Sequence, residues 1–396
     1  MTTSAEPQTL DWTDRVLDLD VGPVAHGGHC VARVDGRVVF VRHALPGERV
    51  RVVVTEDGGG GFCRADAIGV LLSAPGRVEP PCPWARAGGC GGCDWQHADA
   101  ATQRDLKTAV LREQLHRLAG PAGDLAPAPV VEELPGGLLG WRHRVRLAVD
   151  GEGRAGLRAH RSHEVLPIAD CPLTPHGCLP PVLAQRFAPG YEVEVTVDAD
   201  GVRHGADVVG SAAVQRAAGR EWHLRPGAFW QVHPALADTL AGVVAEWAGA
   251  PAGGVAWDLY GGVGLFAAVL AEQVGPGGEV TVVESARTAV DDGRAALADL
   301  PQVRWRLGRV ERVLPSLPGP PDVVVADPPR RGLGRTLVAE LCARTPGRVV
   351  HVACDPAALA RDVALFAARG YRLEALRAFD AFPMTHHMEC VALFTP

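Results

Sequence analysis

Apolar positions follow two different periods along this chain, and the change between them separates three segments. From residue 8 to 70 the runs are short and alternating, as in GRVVFVRHALPGERVRVVV, with DGR, PGE and EDGGGG between them. Alternation with period two, broken by glycine-rich turns, predicts half-buried strands; several of them packed into about 60 residues predict a small barrel of the oligonucleotide-binding type. Residues 71–217 contain one amphipathic helical run, Ala100 to Leu118, and then β-rich sequence interrupted near residue 130 by AGDLAPAPVVEELPGG. Residues 218–396 change period again. GGVAWDLYGGVGLFAAVLAEQ reads as a buried strand, a glycine turn and a helix, and VTVVESARTAVDDGRAALADL repeats the unit. Strands alternating with helices predict a parallel α/β sheet of the Rossmann-like kind.

Composition adds limits to this picture. With 396 residues, 47% of them hydrophobic, there is material for two or three domain cores. The opening MTTSAEPQTLDWTDR lacks a basic start followed by an apolar run, and no apolar stretch approaches the roughly 18 residues of a membrane span. A cytoplasmic monomer without membrane contact is the expectation. The net charge of −7 argues against bulk electrostatic coating of nucleic acid. A local stripe differs: WRHRVRLAVDGEGRAGLRAHRSHE carries Arg142, Arg144, Arg146, Arg154, Arg158 and Arg161, in a chain whose single lysine is Lys107. That stripe reads either as a phosphate-binding face or as a solvated sheet surface.

Ten cysteines in a reducing compartment point to metal binding, catalysis or packing before disulfides. Cys30, Cys63, Cys342 and Cys390 lie in apolar contexts and are assigned to packing. Cys82, Cys90 and Cys93 cluster in PCPWARAGGCGGCDWQH without a local fourth ligand, so the set must be completed from elsewhere. Cys171, in PIADCPLTPHGC, is the first candidate and Cys178 the reserve.

Chemistry gathers at predicted strand ends of the last segment. Glu284 closes a strand about twenty residues past the glycines, where an acid can hold ribose hydroxyls. The turn lacks the third glycine of a dinucleotide fingerprint, as Gly262 and Gly264 are followed by Phe266 and Ala267. Asp327 follows an apolar strand in PDVVVADPPRRGLG. Cys354 ends the next strand in RVVHVACDPAALARD, with Asp355 as a predicted cap and Pro356 in a first helical turn, a setting expected to favour a thiolate. FDAFPMTHHMECVALFTP ends in a strand starting near Glu389. If that strand is antiparallel, a carboxylate faces the thiol.

These motifs together resemble the RNA 5-methyluridine methyltransferase family. The resemblance runs through FVRHALPGERV, RVEPPCP, CGGCDWQH, DCPLTP, FWQVHPAL, DLYGGVGLFA, ADPPRRGL, ACDPAALARD and FPMTHHMECVALF, nearly the whole length. It implies a TRAM β-barrel at 8–70, a β-rich central cluster-binding domain at 71–217 and a class I S-adenosylmethionine-dependent methyltransferase domain at 218–396. It implies transfer of a methyl group to C5 of a uridine in ribosomal or transfer RNA, with Cys354 as nucleophile on C6 and Glu389 as base for the C5 proton. Gln231, Asp258, Tyr260, Gly262, Gly264, Glu284 and Asp327 would hold the cofactor. Cys82, Cys90, Cys93 and Cys171 would hold a [4Fe–4S] cluster, with zinc as the alternative metal. The sequence departs from the family at the first cysteine spacing, seven residues for five, at Gly261 for Cys, at His233 and Asp355 for Asn, and at Arg309 for an acid. Two other readings are an amino-directed methyltransferase, which has no use for the thiol, and an RNA-binding, cluster-bearing scaffold on a degenerate fold.

Overall fold

The structure, a computed structural model, describes residues 11–124, 127–205 and 212–396. They divide into two compact units, one of residues up to 106 with 157–166 and 384–386, the other of 107–156, 167–383 and 387–396. The stretch expected as a separate central domain, 71–217, is therefore divided between the two. Its backbone hydrogen bonds explain why: Gly91 donates to Arg158 O and His160 to Gly89 O inside the first unit, while Arg142 donates to Leu173 O inside the second.

Strands β1 (Val16–Asp20), β2 (Cys30–Val34), β3 (Arg37–Arg42), β4 (Arg49–Asp57) and β5 (Phe62–Leu72) form the sheet of the first unit in the order β1-β4-β5-β3-β2. All pairings are antiparallel except β3 with β5. Beyond β1 the chain turns onto the opposite edge, where Gly22 donates to Val31 O at 2.8 Å and Val31 to Pro23 O at 2.9 Å. That junction closes the sheet as expected. Val39, Val41, Val50, Val52 and Val54 alternate into its fully buried interior.

Helix α1 (Ala100–Gln114) continues through a wider π-type turn, Leu115–Ala119, so the expected run to Leu118 is helical with a change of pitch. Short α2 (Pro121–Asp124) and strands β6 (Val131–Glu132), β7 (Arg144–Val149), β8 (Ala155–Arg158) and β9 (Val165–Leu166) follow, then α3 (Pro180–Leu183), β10 (Glu192–Val197), β11 (Arg203–His204), β12 (Ala213–Ala217) and β13 (Arg220–Leu224). The remaining elements are α4 (Leu236–Ala248), β14 (Val255–Leu259), α5 (Leu265–Val274), β15 (Glu279–Glu284), α6 (Arg287–Ala296), β16 (Val303–Leu307), α7 (Val310–Val313), β17 (Val323–Ala326), α8 (Gly334–Ala343), β18 (Arg348–Ala353), α9 (Pro356–Ala367), β19 (Arg372–Phe379) and β20 (Glu389–Thr395).

An eight-stranded sheet of order β16-β15-β14-β17-β18-β20-β19-β6 forms the centre of the second unit. From β16 to β18 the strands are parallel, and β20 enters antiparallel between β18 and β19. Both faces are covered, which is why the strand sequences are continuously apolar. Val323, Val325, Val350 and Val352 face the core built with α4 and α5; Val324, Ala326, Val349 and Ala353 face the one built with Leu359, Val363 and Phe366 of α9. The parallel part places its carboxyl ends along one edge, where such sheets carry their sites.

The only lysine of the chain is part of this packing. Lys107 and Asp380 are 0% and 2% exposed and form an ion pair, with Lys107 Nζ also donating to Phe382 O at 3.1 Å. The pair ties α1 to the segment between β19 and β20. Lys107→Met strands a buried carboxylate and should destabilise the protein by about 3 kcal/mol or more, whereas Lys107→Met with Asp380→Asn should recover most of that loss. Urea unfolding midpoints of the two variants check it.

Candidate active site

The glycine turn follows β14 through Tyr260, whose φ of 61° is left-handed, as are Gly262 at 54° and Gly264 at 85°. A Cβ on Gly264 would lie 2.8 Å from Leu297 Cδ1 and 3.0 Å from Trp305 Cη2, so the turn sits close on the neighbouring elements. Gly262 meets nothing within 4 Å and leaves its side of the turn open. A Cβ on Gly261 would lie 2.5 Å from Val282 Cγ1, so the cysteine common at this position in the family would need that side chain to move.

Two carboxylates hold the turn. Glu284, at the end of β15, accepts from Gly262 N at 3.0 Å and from Ala286 N at 2.6 Å. Asp258 is fully buried in β14; its Oδ2 accepts from Ala267 N at 2.9 Å in the first turn of α5, while Oδ1 has no partner. Burial pushes its carboxyl up to about 7. An open turn, an adjacent acid and an unsatisfied buried oxygen suit a polar cofactor carrying amine and hydroxyl donors. The Tyr260 hydroxyl lies 3.4 Å from Glu311 Oε1, and Glu311 also pairs with Arg331. Gln231, in the loop between β13 and α4, is half-buried and makes no hydrogen bond to a described residue. The structure thus bonds Gly262 to Glu284 and Asp258 to the start of α5, and leaves Gln231 outside both sets of bonds.

Three acidic groups meet at the next strand ends. Asp327 follows β17 and donates its N–H to Leu259 O at 3.2 Å. Cys354 follows β18. Ala353 pairs with Cys390 in the antiparallel register of β18 and β20, so Cys354 and Glu389 occupy the adjoining positions on neighbouring strands. Glu389 is 4% exposed and its Oε1 has no partner; burial, then the charge of Asp327, push its carboxyl well up. Burial also raises Asp327.

The thiol responds to the same crowding. Cys354 is pushed up to about 12 by burial, then by Glu389 and Asp327, against the opposing pull of Arg330 and with Asp355 adding a smaller push. The expectation of a thiolate favoured by the helix end is corrected here. Asp355, not Cys354, caps α9, accepting from Ala358 N at 2.7 Å, and Pro356 contributes no N–H. The thiol stands one residue outside the helix among carboxylates.

Sequence reasoning missed the support beneath this edge. His351, fully buried in β18, lies 3.2 Å from Asp362 Oδ2 and 3.4 Å from Ala326 O. Asp362 of α9 accepts from Leu333 N at 2.7 Å and Gly334 N at 2.9 Å, fixing the loop that starts at Asp327. Asp362 belongs to the quoted motif ACDPAALARD, but nothing in the motif shows that its partners come from two other elements.

The cysteines of the expected cluster are distributed differently from a local site. Cys82, Cys90 and Cys93 lie half-buried in the first unit; Cys171 is buried in the second. Gly92 N donates to Cys90 Sγ at 3.3 Å and Gln96 Nε2 to Cys93 Sγ at 3.0 Å, while Gln96 Oε1 accepts from Cys82 N at 3.1 Å. Among the described residues no group of three or more His, Cys, Asp or Glu side chains is arranged to hold a metal ion. The arginine stripe is largely neutralised: Arg144 and Arg146 both pair with Glu194, Arg154 with Asp150 and Glu152, and Arg161 with Glu56. No helix is long and apolar enough to cross a membrane among the described residues.

Comparison with known proteins adds an independent line. Residues 14–68 match the TRAM domain and residues 321–395 match the tRNA (Uracil-5-)-methyltransferase family. An uncharacterized RNA methyltransferase of Streptomyces avermitilis is 45% identical over 96% of this chain and 98% of its own. A 23S rRNA (uracil(1939)-C(5))-methyltransferase of Shewanella is 30% identical over 98% of both chains. The crystal structure of Pyrococcus abyssi tRNA (uracil-54, C5)-methyltransferase in complex with S-adenosyl-L-homocysteine shares the fold, with a TM-score of 0.71 at 21% identity over 96% of this chain and 100% of that one.

Asp258 generates a pH test. Its carboxyl rises from 3.8 to about 7 on folding, so ionising it costs stability as pH climbs through that window. Asp258→Asn keeps an acceptor for Ala267 N and removes the buried charge. Urea midpoints should show the variant more stable than the parent at pH 8, with the gain fading as pH falls toward 4.

Proposed function

The chain belongs to the TRAM-domain RNA (uracil-5-)-methyltransferase family, and from that premise we propose that it moves a methyl group from S-adenosylmethionine to C5 of a uridine in structured RNA through a covalent Cys354 adduct. The observation that carries the reading is the register of β18 and β20, which puts a half-buried thiol and a buried, unpartnered carboxylate side by side at the cofactor edge.

The chemistry follows from the ring. C5 of uracil is a weak nucleophile; addition to C6 of Cys354 Sγ, as the thiolate left when its proton passes to solvent, makes C5 the carbon of an enolate, which would take the methyl as the methyl–sulfonium bond breaks and S-adenosylhomocysteine leaves. Bound S-adenosylmethionine supplies an electrophilic methyl and, in its sulfonium, a positive charge that favours ionisation of nearby acids. Glu389 then takes the C5 proton, the ring rearomatises and the C6–S bond breaks, returning the thiolate. A base in this role needs a desolvated carboxylate whose pKa is high enough to hold the proton, which burial beside Asp327 gives Glu389. Asp258, the glycine turn and Glu284 would hold the cofactor, with Tyr260 and Gln231 beside it and Asp327 between cofactor and base. A target uracil must leave its stack to reach this edge.

The cysteines support a second component. Cys82, Cys90 and Cys93 would supply thiolates to a [4Fe–4S] cluster, and the N–H donors on Cys90 and Cys93 sulfurs stabilise sulfur in its anionic form. Cys171 is the fourth ligand by family resemblance alone. No step of the reaction is assigned to the cluster.

RNA carrying 5-fluorouridine tests the mechanism, because fluorine at C5 blocks the final elimination. The parent protein should form a denaturation-resistant complex dependent on the cofactor, and Cys354→Ala should form none. Glu389→Gln should slow turnover on ordinary RNA by about a hundredfold or more while still forming the adduct. Methylation that survives Cys354→Ala would instead indicate an amino target, and binding with neither adduct nor methylation would indicate a scaffold. For the cluster, anaerobically purified protein should be brown with about four irons per chain, falling sharply in Cys90→Ser. Colourless protein with one zinc would replace the cluster with that ion.

A further inference from the structure

Three neighbouring strands of the barrel turn an apolar face outward. Cys30, Ala32, Val39, Val41, Cys63 and Ala65 point into the buried interior, so alternation sends Val31, Arg33, Val38, Phe40, Phe62 and Arg64 the other way. The registers set these side by side: Val31 opposite Phe40 and Arg33 opposite Val38 between β2 and β3, then Phe40 opposite Arg64 and Val38 opposite Phe62 between β3 and β5. Phe62 is 47% exposed. A phenyl ring left in water beside two half-buried valines and a second phenyl makes an apolar patch with a charged rim, the mark of a contact surface.

The rings are arranged with surface to spare. Phe40 and Phe62 meet edge to face, their centroids 5.8 Å apart at 76°, and His29 meets Phe40 in the same way at 6.4 Å and 81°. Contact of this kind occupies the face of one ring and only the edge of the other. The guanidinium of Arg64 lies 5.4 Å from the Phe62 centroid. Acids at the rim are mostly paired. Glu56 pairs with Arg64 and Arg161, Asp57 with Arg37, and Asp66 stands 3.8 Å from Arg42. Asp35 lies in the turn between β2 and β3, two residues past Arg33. Arg33 itself is exposed, and its guanidinium makes no hydrogen bond or ion pair with a described residue.

We propose that this face is a base-stacking platform for a single-stranded segment of the RNA: a nucleobase lies on Phe62, and Arg33 meets a phosphate of the same segment. The outward face of strands two and three is where barrels of the oligonucleotide-binding type hold their ligands, and exposed rings beside arginines suit bases of any sequence. A protein partner would use the rings without the guanidinium; a nucleic acid uses both. The inference rests on the RNA substrate of the proposed function and adds a place where nucleotides other than the methylated one are held.

The probe is an oligoadenylate of about ten nucleotides with one central 2-aminopurine, whose fluorescence falls when it stacks. It is mixed with the full-length protein without cofactor. Because the probe holds no uridine, failure of this site is distinguishable from failure of the methyl transfer. The parent protein should quench the probe. Phe62→Leu keeps apolar packing but loses the ring, and should weaken binding about tenfold with the slope of log affinity against log salt unchanged, since stacking releases no counterions. Phe62→Trp should restore both affinity and quench. Arg33→Met should keep most of the quench and lower the slope by about 0.7 unit, the signature of one lost phosphate contact on a single strand. Absence of binding, or equal affinity in Phe62→Leu and the parent, would overturn the proposal. So would a loss in Phe62→Leu matched by a fall in its thermal midpoint, which would make the ring a structural residue. Self-association of the parent that Phe62→Leu abolishes, without any quench of the probe, would overturn it in favour of a contact between copies of the chain.

Discussion

Burial of several acids together at one sheet edge is the constraint on which this site depends. Cys354, Glu389 and Asp327 stand together because the parallel strands β17 and β18 end where the antiparallel β20 begins. Burial raises the proton affinity of all three, the charge of Asp327 adds to it at Cys354 and Glu389, and that of Glu389 adds to it at the thiol.

Such crowding needs a rigid frame. The frame here is made of buried polar pairs rather than additional apolar packing. His351 and Asp362 join β18, α9 and the loop after β17, and Asp362 supplies the acceptors that the Leu333 and Gly334 amides require. Lys107 and Asp380 tie α1 to the segment leading into β20. Burying such pairs gives modest net stability, but a broken one is costly, so each fixes one geometry against its alternatives. Arg42 differs: it is a buried charge within 3.8 Å of Asp66 whose terminal nitrogens make no hydrogen bond.

Much of this was legible in the sequence because it is local. Period-two and strand–turn–helix patterns marked the barrel strands and the parallel sheet, and an Asp-Pro before an apolar helix marked the cap of α9. The β-rich middle was less legible. Its strands hydrogen-bond to partners in both units, and no linear pattern says which way a short strand will pair. The two readings of the arginine stripe could not be separated for a similar reason: Glu194, which neutralises Arg144 and Arg146, lies about fifty residues away in the chain and meets them only across paired strands.

The sequence by itself determined the element types, the residues at the strand ends and the family. Tertiary structure decided how those residues behave. A helix-end cysteine reads as a favoured thiolate in one dimension, yet its proton affinity is raised first by burial and then by the charges of Glu389 and Asp327, while Asp355 has taken the helix terminus. Arg42 likewise looks like an ordinary strand residue until the fold buries it beside Asp66 with no hydrogen bond to its terminal nitrogens. Propensity acts over a few neighbours along the chain, whereas desolvation and Coulomb forces act through space, and only the folded chain fixes those distances.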